Sequence, residues 1–495
     1  MRSNTTRLLV RNVSHLGIGQ VASTALGVLL AAVIGRALEP AQLGVFYIVL
    51  GINSFVSFII DWGQSTYLVR EMARGRSDEP ELIGSALVFR LATTILSFAV
   101  AILIALMLGY GGQVVELTLL AIAAAIPVSL FTPFDCSFRA RDRMDVDAFA
   151  NIVGKVVTLV ATAIAVHIGG GLTAVILVQG IGGISILLVG IIAAQRLGIG
   201  VKAPEMKVLE ELLKYGAPIA TSVLAIALQP FVEILVLSTF AGPAVVGWYG
   251  AFRSIYNVVV SPAMILLGAT FPELSRVSRS LPDLRRMLDA TGRVLFVAAA
   301  FTASVVLVFA DHMVAILYGH GRLEESASIL RVSAIFIPLM FLSVLLANVL
   351  FAVGRNKPLV VINIVKIAVF AIVSCMFIGY WQHHFGNGAI ALVVIAGLVE
   401  IPAMIAYLAL IPRGAVGSTT TLNVVRAYIV SLGTAMPLLM LQPLGLWYLT
   451  PLFALLFVVA ALVARLILPS DLRLAIEVVR SRMFMLEVTK SAPNG

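Results

Sequence analysis

Four cations lie inside stretches that are otherwise apolar enough to cross a bilayer: Arg90, Lys155, Arg253 and Lys366. A charge in hydrocarbon is costly, so such side chains face a partner or a cavity, where they bind anionic groups. Three carboxylates lie in neighbouring stretches of the same kind: Asp61, Glu233 and Glu400. Glu233 and Arg253 stand at equal sequence distance either side of Pro243, so a hairpin turning there puts them at one depth on antiparallel neighbours. Asp61 and Arg90 flank Gly75 in the same way. Opposite charges at matched depth are what a low dielectric demands. Two readings stay open. The pairs are static braces, or the arginines bind an anionic group in a cavity while the carboxylates hold them or carry a coupling ion. Lys155 and Lys366 lie near one end of their stretches, where a lysine either snorkels out or faces the cavity. Glu400 lies mid-stretch with no partner in its own hairpin; it is either a neutral acid bonded to a backbone carbonyl or a group that titrates during transport.

The elements that must hold these groups are helices. The chain of 495 residues is 60% apolar and only 12% charged, with a mean hydropathy of +1.05. Crossing about 30 Å of hydrocarbon takes about 20 residues at 1.5 Å each. Backbone groups in lipid must be satisfied within the segment, and long runs without strict alternation favour helices over a barrel. Fourteen spans are expected near 12–35, 42–66, 82–109, 115–136, 148–168, 172–195, 214–240, 245–271, 291–317, 327–353, 358–380, 388–411, 425–441 and 446–467. Most of the 34 lysines and arginines fall at the first end and in alternate gaps. The positive-inside rule makes those gaps, and both termini, cytoplasmic. The net charge of +9 thus reflects topology and anionic headgroups, not nucleic acid. Cys136 and Cys375 lie at opposite depths, which argues against a disulfide. No Walker-type loop is present, and the His383–His384 pair lacks a ligand cluster, so neither an ATP site nor a metal site is expected.

The chain repeats itself. Pro40 and Gly44 match Pro243 and Gly247 at an offset of 203, as do Arg76-Ser77 with Arg279-Ser280 and Arg90 with Arg293. Asn151 pairs with Asn363 at an offset of 212. Six spans separate the copies, so the halves share one orientation, the parallel-repeat plan of some secondary transporters, whose substrate lies at the repeat interface. The expected architecture is an all-α polytopic membrane protein. It comprises an N-terminal lobe over 1–203, a C-terminal lobe over 204–411, and two extra helices with a tail over 412–495. Residues 204–213 read as a short in-plane helix joining the lobes, with Met206, Leu209, Leu212 and Leu213 on one face. The charge pairs are not duplicated: Glu233, Arg253 and Asp61 correspond to Leu30, Leu50 and Met264. Gln20, Asn53, Gln179, Gln229, Asn257 and Asn363 lie within spans and are expected mostly to bond between helices. Gln229-Pro230 is a place where the seventh span could break.

The segments GRALEPAQLGVFYIV at 35–49, DWGQSTYLVREMAR at 61–74, the stretch around Arg90, and EILVLSTFAGPAVVGWYGAFRSIYN at 233–257 carry a resemblance. They resemble the oligosaccharide flippases of bacterial surface polysaccharide pathways, the Wzx-like branch of the multidrug/oligosaccharidyl-lipid/polysaccharide exporter superfamily. The resemblance implies 12 or 14 spans in two six-helix lobes. It implies movement of polyprenyl-pyrophosphate-linked oligosaccharides to the outer leaflet by alternating access, driven by an ion gradient. On that basis Arg253 resembles a cavity arginine of related flippases. Arg90, Lys155, Lys366, Arg11, Asn53, Asn257 and Gln229 are further cavity candidates, and Glu233, Asp61 and Glu400 are candidates for pairing or ion coupling. Relatives place cavity arginines in the first two spans as well. Here Gln20 and Asn53 occupy those spans, and Arg11 lies only at the cytoplasmic entrance. No cofactor is implied beyond H⁺ or Na⁺ as coupling ion. The implied setting is the bacterial cytoplasmic (inner) membrane, with a monomer working beside polysaccharide polymerase or other assembly proteins.

Other classes make different demands. A drug or metabolite cation antiporter of the same superfamily would rely on carboxylates, whereas this chain also buries arginine and lysine. A membrane-bound polysaccharide polymerase or ligase would need a sizeable outer loop, and the gaps at 318–326 and 381–387 are short. A purely scaffolding membrane protein is a further alternative.

Overall fold

The computed structural model describes residues 22–441 and 446–467, apart from the side chains of 222–227, 269 and 446. Among them every regular element is a helix. The helices are α1 (Ala22–Ala37), α2 (Pro40–Asp61), α3 (Gln64–Ala73), α4 (Glu79–Met107), α5 (Gly112–Ala140), α6 (Met144–His167), α7 (Gly171–Arg196), α8 (Met206–Phe240), α9 (Pro243–Val277), α10 (Leu281–Tyr318), α11 (Glu325–Ala352), α12 (Asn356–Phe385), α13 (Gly388–Leu410), α14 (Ser418–Met440) and α15 (Leu446–Val463). Eleven helical stretches among the described residues are long and apolar enough to cross a membrane. Three shorter apolar stretches, Ala22–Ala37, Leu228–Phe240 and Trp447–Val463, stand where the first, seventh and fourteenth spans were expected.

Helix starts repeat in order. Pro40 and Pro243 open α2 and α9; a proline suits a first turn because its missing N–H has no partner there. Glu79 and Leu281 open α4 and α10, and Met144 and Asn356 open α6 and α12.

Two compact units form. The first comprises Met1–Val258, Asp311–Ile329 and Asn363–Ala396; the second comprises Val259–Ala310, Leu330–Ile362 and Gly397–Gly495. These are packing units, whereas the lobes of the sequence are drawn on internal similarity. In the first unit, α5 and α6 pack on α7, and α2 packs on α4, α5 and α8. Its main cluster joins Leu68, Leu82, Ile83, Phe138, Val208 and Leu212 from α3, α4, α5 and α8. In the second unit, Val308 of α10, Leu438 of α14 and Phe453 of α15 form a core.

Within the first unit, α2 and α9 cross at the matched glycines. A Cβ on Gly44 would stand 1.7 Å from the Pro243 carbonyl oxygen, and one on Gly247 would stand 2.1 Å from that of Pro40. Beside this crossing the Tyr47 and Ser254 hydroxyls hydrogen-bond at 2.9 Å. Arg36 donates from Nε to the Leu317 carbonyl at 2.9 Å and from Nη2 to that of Ile316 at 2.6 Å.

The structure corrects three expectations. The stretch 204–213 is no separate helix: from Met206 it forms the opening turns of α8, which runs unbroken through Pro218 and Pro230. Its buried side chains are Val208 and Leu212, while Met206 and Leu213 are exposed. The break falls instead in the second span, where Trp62 (φ 43°) and Gly63 (φ 75°) both adopt the left-handed conformation between α2 and α3. Close approach of α8 accompanies this break. A Cβ on Gly63 would stand 2.6 Å from the Gly216 carbonyl oxygen, and one on Gly216 would stand 2.4 Å from that of Trp62.

Candidate functional site

Both expected charge pairs form, each within the first unit. Near the α8–α9 turn, Arg253 Nη1 faces Glu233 Oε2 at 3.4 Å. Tyr249 donates its hydroxyl to the same oxygen at 2.8 Å, and Gln229 Nε2 donates to Glu233 Oε1 at 3.1 Å. The carboxylate is 3% exposed, with a partner on each oxygen, whereas the Arg253 side chain is 33% exposed. Glu233 therefore anchors one edge of a planar guanidinium whose side chain is still a third exposed.

The second pair sits at the α2–α3 break, with the opposite arrangement of exposure. Arg90 donates from Nη2 to Asp61 Oδ1 and, at 3.1 Å, to Ser65 Oγ; Ser65 in turn donates to Asp61 Oδ1. Here the arginine is 4% exposed and the carboxylate 35%. Arg90 Nε is buried with no hydrogen-bond partner. The group left accessible is an acid, not a cation. The break makes this geometry: it ends α2 at Asp61 and starts α3 so that Ser65, one turn on, turns back to the carboxylate.

The other sequence candidates are dispersed. Lys155 is half-buried, and its Nζ donates to the Ser23 carbonyl of α1 at 3.0 Å. Lys366 is half-buried on α12. Asn257 is exposed on α9, one turn beyond Arg253 and on its face. Asn53 Oδ1 is buried without a hydrogen-bond partner. Glu400 belongs to the second unit, where Ser343 donates to its Oε1 at 2.8 Å across α11 and α13. Arg11 and Gln20 lie outside the described residues. The expectation of bonds between helices fails for two amides: Gln229 bonds to Glu233 and Gln179 to the Val175 carbonyl, each on its own helix. A side chain four residues away on the same helix lies closer than a neighbouring helix.

Sequence reasoning missed Tyr249, Ser65 and Ser343. Tyr249 and Ser65 each lie four residues from a charge already singled out, the spacing that places side chains together on a helix face or across one turn. Also missed was a network on α5 and α6, in which the exposed Arg139 bridges from Nη2 to the buried Asp135 at 2.9 Å and Asp147 at 3.1 Å.

Comparisons with known proteins agree on the fold. The family model described as "Polysaccharide biosynthesis protein" matches residues 9–278. The structure is similar to that of the lipid II flippase MurJ in an inward closed conformation. Identity is 13%, the TM-score 0.69, and coverage 90% of this chain and 97% of that one. It is also similar to an inward-facing multidrug resistance MATE family transporter of the MOP superfamily, with 15% identity, TM-score 0.64, and coverage of 84% and 99%. A point mutant of the Vibrio cholerae MATE transporter VcmN aligns at 16% identity with TM-score 0.54 over 85% and 99%. No curated protein matches the sequence.

Proposed function

This chain belongs to the polysaccharide biosynthesis protein family, and from that premise we propose that it is a flippase for a polyprenyl-diphosphate-linked oligosaccharide. It is a multi-pass membrane protein with the two-lobed helical fold of the multidrug/oligosaccharidyl-lipid/polysaccharide exporters. In this reading the lipid-linked glycan enters from the cytoplasmic leaflet of the bacterial inner membrane and leaves in the outer leaflet. Both termini stay in the cytoplasm, and the monomer hands its cargo to polymerase or other assembly proteins.

The observation that supports the reading most is the state of Arg253. Its carboxylate partner is buried and held by Tyr249 and Gln229, so the guanidinium is fixed in place yet a third exposed. A fork held that way suits the oxygens of a diphosphate, which guanidinium binds in two parallel hydrogen bonds. Asp61, a third exposed and tied to a buried arginine, suits a group that exchanges H⁺ or Na⁺ with water as the lobes alternate in access. The same carboxylate favours a second reading, a cation antiporter like the multidrug transporters that the fold resembles.

One experiment separates the two. A strain lacking this chain receives the wild type, Arg253→Ala or Arg253→Lys at matched membrane levels. Surface polysaccharide and inner-leaflet lipid-linked precursor are then measured, with efflux of a lipophilic cation dye alongside. Export lost in the alanine variant and partly kept in the lysine variant supports the flippase. Full export by Arg253→Ala sinks the role of Arg253, and dye efflux without precursor turnover selects the antiporter.

A further inference from the structure

The first unit carries a second cationic feature away from both charge pairs. A pocket of about 440 Å³ opens between the α5–α6 turn, the start of α6 and the end of α7. Its walls are apolar, with Phe149 and Ile192 both exposed, and its rim carries Arg143, Asp145 and Arg196. Arg143 is neutralised by a fork onto Asp145, at 2.9 Å from Nε and 3.0 Å from Nη2. Arg196 is exposed and has neither an ion pair nor a hydrogen bond among the described residues.

We propose that this pocket binds the headgroup and upper acyl chain of an anionic phospholipid of the cytoplasmic leaflet. Charge, size and depth each select that ligand. Two guanidiniums against one carboxylate leave a single positive charge, which matches a phosphodiester monoanion and not a diphosphate. The volume falls in the range of small-molecule sites, about 300–1,000 Å³, with room for a headgroup and the first methylenes but not a whole lipid. Arg143 and Arg196 stand at the ends of spans, with Ile192 about one turn and Phe149 nearly two turns inside, the order of charge then aromatic and aliphatic surface that a bilayer interface imposes. Arg141 keeps the pocket open in this shape: it pairs with Glu79 at 2.7 Å and reaches the Leu197 carbonyl at 3.5 Å, tying the α5–α6 turn to the end of α7. Cations grouped at such a boundary attract anionic lipid beyond the general surface potential.

The test is native mass spectrometry of the purified full chain titrated with dioleoyl-phosphatidylglycerol, dioleoyl-phosphatidylcholine and undecaprenyl diphosphate, each alone, and with undecaprenyl diphosphate added to the phosphatidylglycerol-bound chain. The wild type is expected to retain phosphatidylglycerol in preference to phosphatidylcholine. Arg196→Ala should lower that preference about fivefold, the change expected of one cation near an anionic surface. Arg196→Lys should keep most of the preference. Arg355→Ala, a cation of the second unit, should leave it unchanged. The proposal is overturned if Arg196→Ala binds phosphatidylglycerol as the wild type does. It is overturned equally if undecaprenyl diphosphate displaces phosphatidylglycerol from the wild type but not from Arg196→Ala, which would assign the pocket to the transported lipid.

Discussion

Glu233 and Arg253 divide their surroundings unequally: the carboxylate is 3% exposed, and the guanidinium facing it at 3.4 Å is 33% exposed. Asp61 and Arg90 reverse the order, at 35% and 4%. One pair offers a cation to its surroundings, the other an acid.

The reversal predicts a crossed order of stabilities. Removing the accessible partner strands a buried charge, which costs about 3–5 kcal/mol, whereas removing the buried partner leaves a charge that water already reaches. Arg253→Ala should therefore lower the melting temperature more than Glu233→Ala. Asp61→Ala should lower it more than Arg90→Ala. Thermal unfolding of the four variants in one detergent reads the order directly, and the same order in both pairs would refute the assignment.

Tyr249→Phe removes the hydroxyl that donates to Glu233 Oε2 at 2.8 Å and leaves the ring in place. Loss of a hydrogen bond to a buried charged group costs about 1.5–3 kcal/mol. Stability should fall by that amount, and under the proposed function export should fall with it because Arg253 loses its fixed anchor. Glu233→Gln with Tyr249→Phe should cost less than the sum of the two single changes, which a double-mutant cycle measures.

Gly44→Ala and Gly247→Ala each place a carbon against backbone that no rotamer change can move. Either change should force the starts of α2 and α9 apart. Either alanine should part the Tyr47 and Ser254 hydroxyls, which hydrogen-bond at 2.9 Å in the native protein, and cost about 1–3 kcal/mol, the usual range for overpacking. Gly268→Ala, whose Cβ would meet nothing within 4 Å, should leave the melting temperature in detergent unchanged, and equal melting temperatures for all three variants would refute the close approach.

Acid should loosen the α3–α4 turn. Arg76 bonds to Asp78 at 2.6 Å and to Glu211 at 2.7 Å, and the first bond holds the Asp78 carboxyl below its ordinary 3.8. A depressed folded-state value means the group contributes stability above the unfolded value and loses it as pH falls through the folded one. Asp78→Asn should therefore be less stable than the wild type at pH 6, with the gap closing as pH falls below 3.8. Melting temperatures across that range check the sign.

The charge pairs were legible because hairpin geometry fixes depth and hydrocarbon forbids a lone charge. Which partner is exposed was not, because that depends on how α4, α8 and α9 pack, and no local pattern encodes it. The helix break was misplaced for a related reason. Pro230 removes a donor, but a spanning helix tolerates that where its surroundings re-satisfy the freed carbonyl. Trp62 has no such local signature; its left-handed turn beside Gly63 accompanies the approach of Gly216 from a distant segment. The repeat was read from a few matched residues, and the matched helix starts at Pro40 and Pro243 follow the same order. The expected linker face failed because α8 buries Val208 and Leu212 against the first unit instead.

Duplicated segments normally drift apart position by position, and these have done so at their charges: the equivalent of Asp61 is Met264, and that of Glu233 is Leu30. Gly44 and Gly247 are held by a different rule, since each lies against the proline carbonyl that opens the other copy's helix. A side chain gained by one copy would be felt first by the other. Where the two copies meet, a change in one is therefore a change in both.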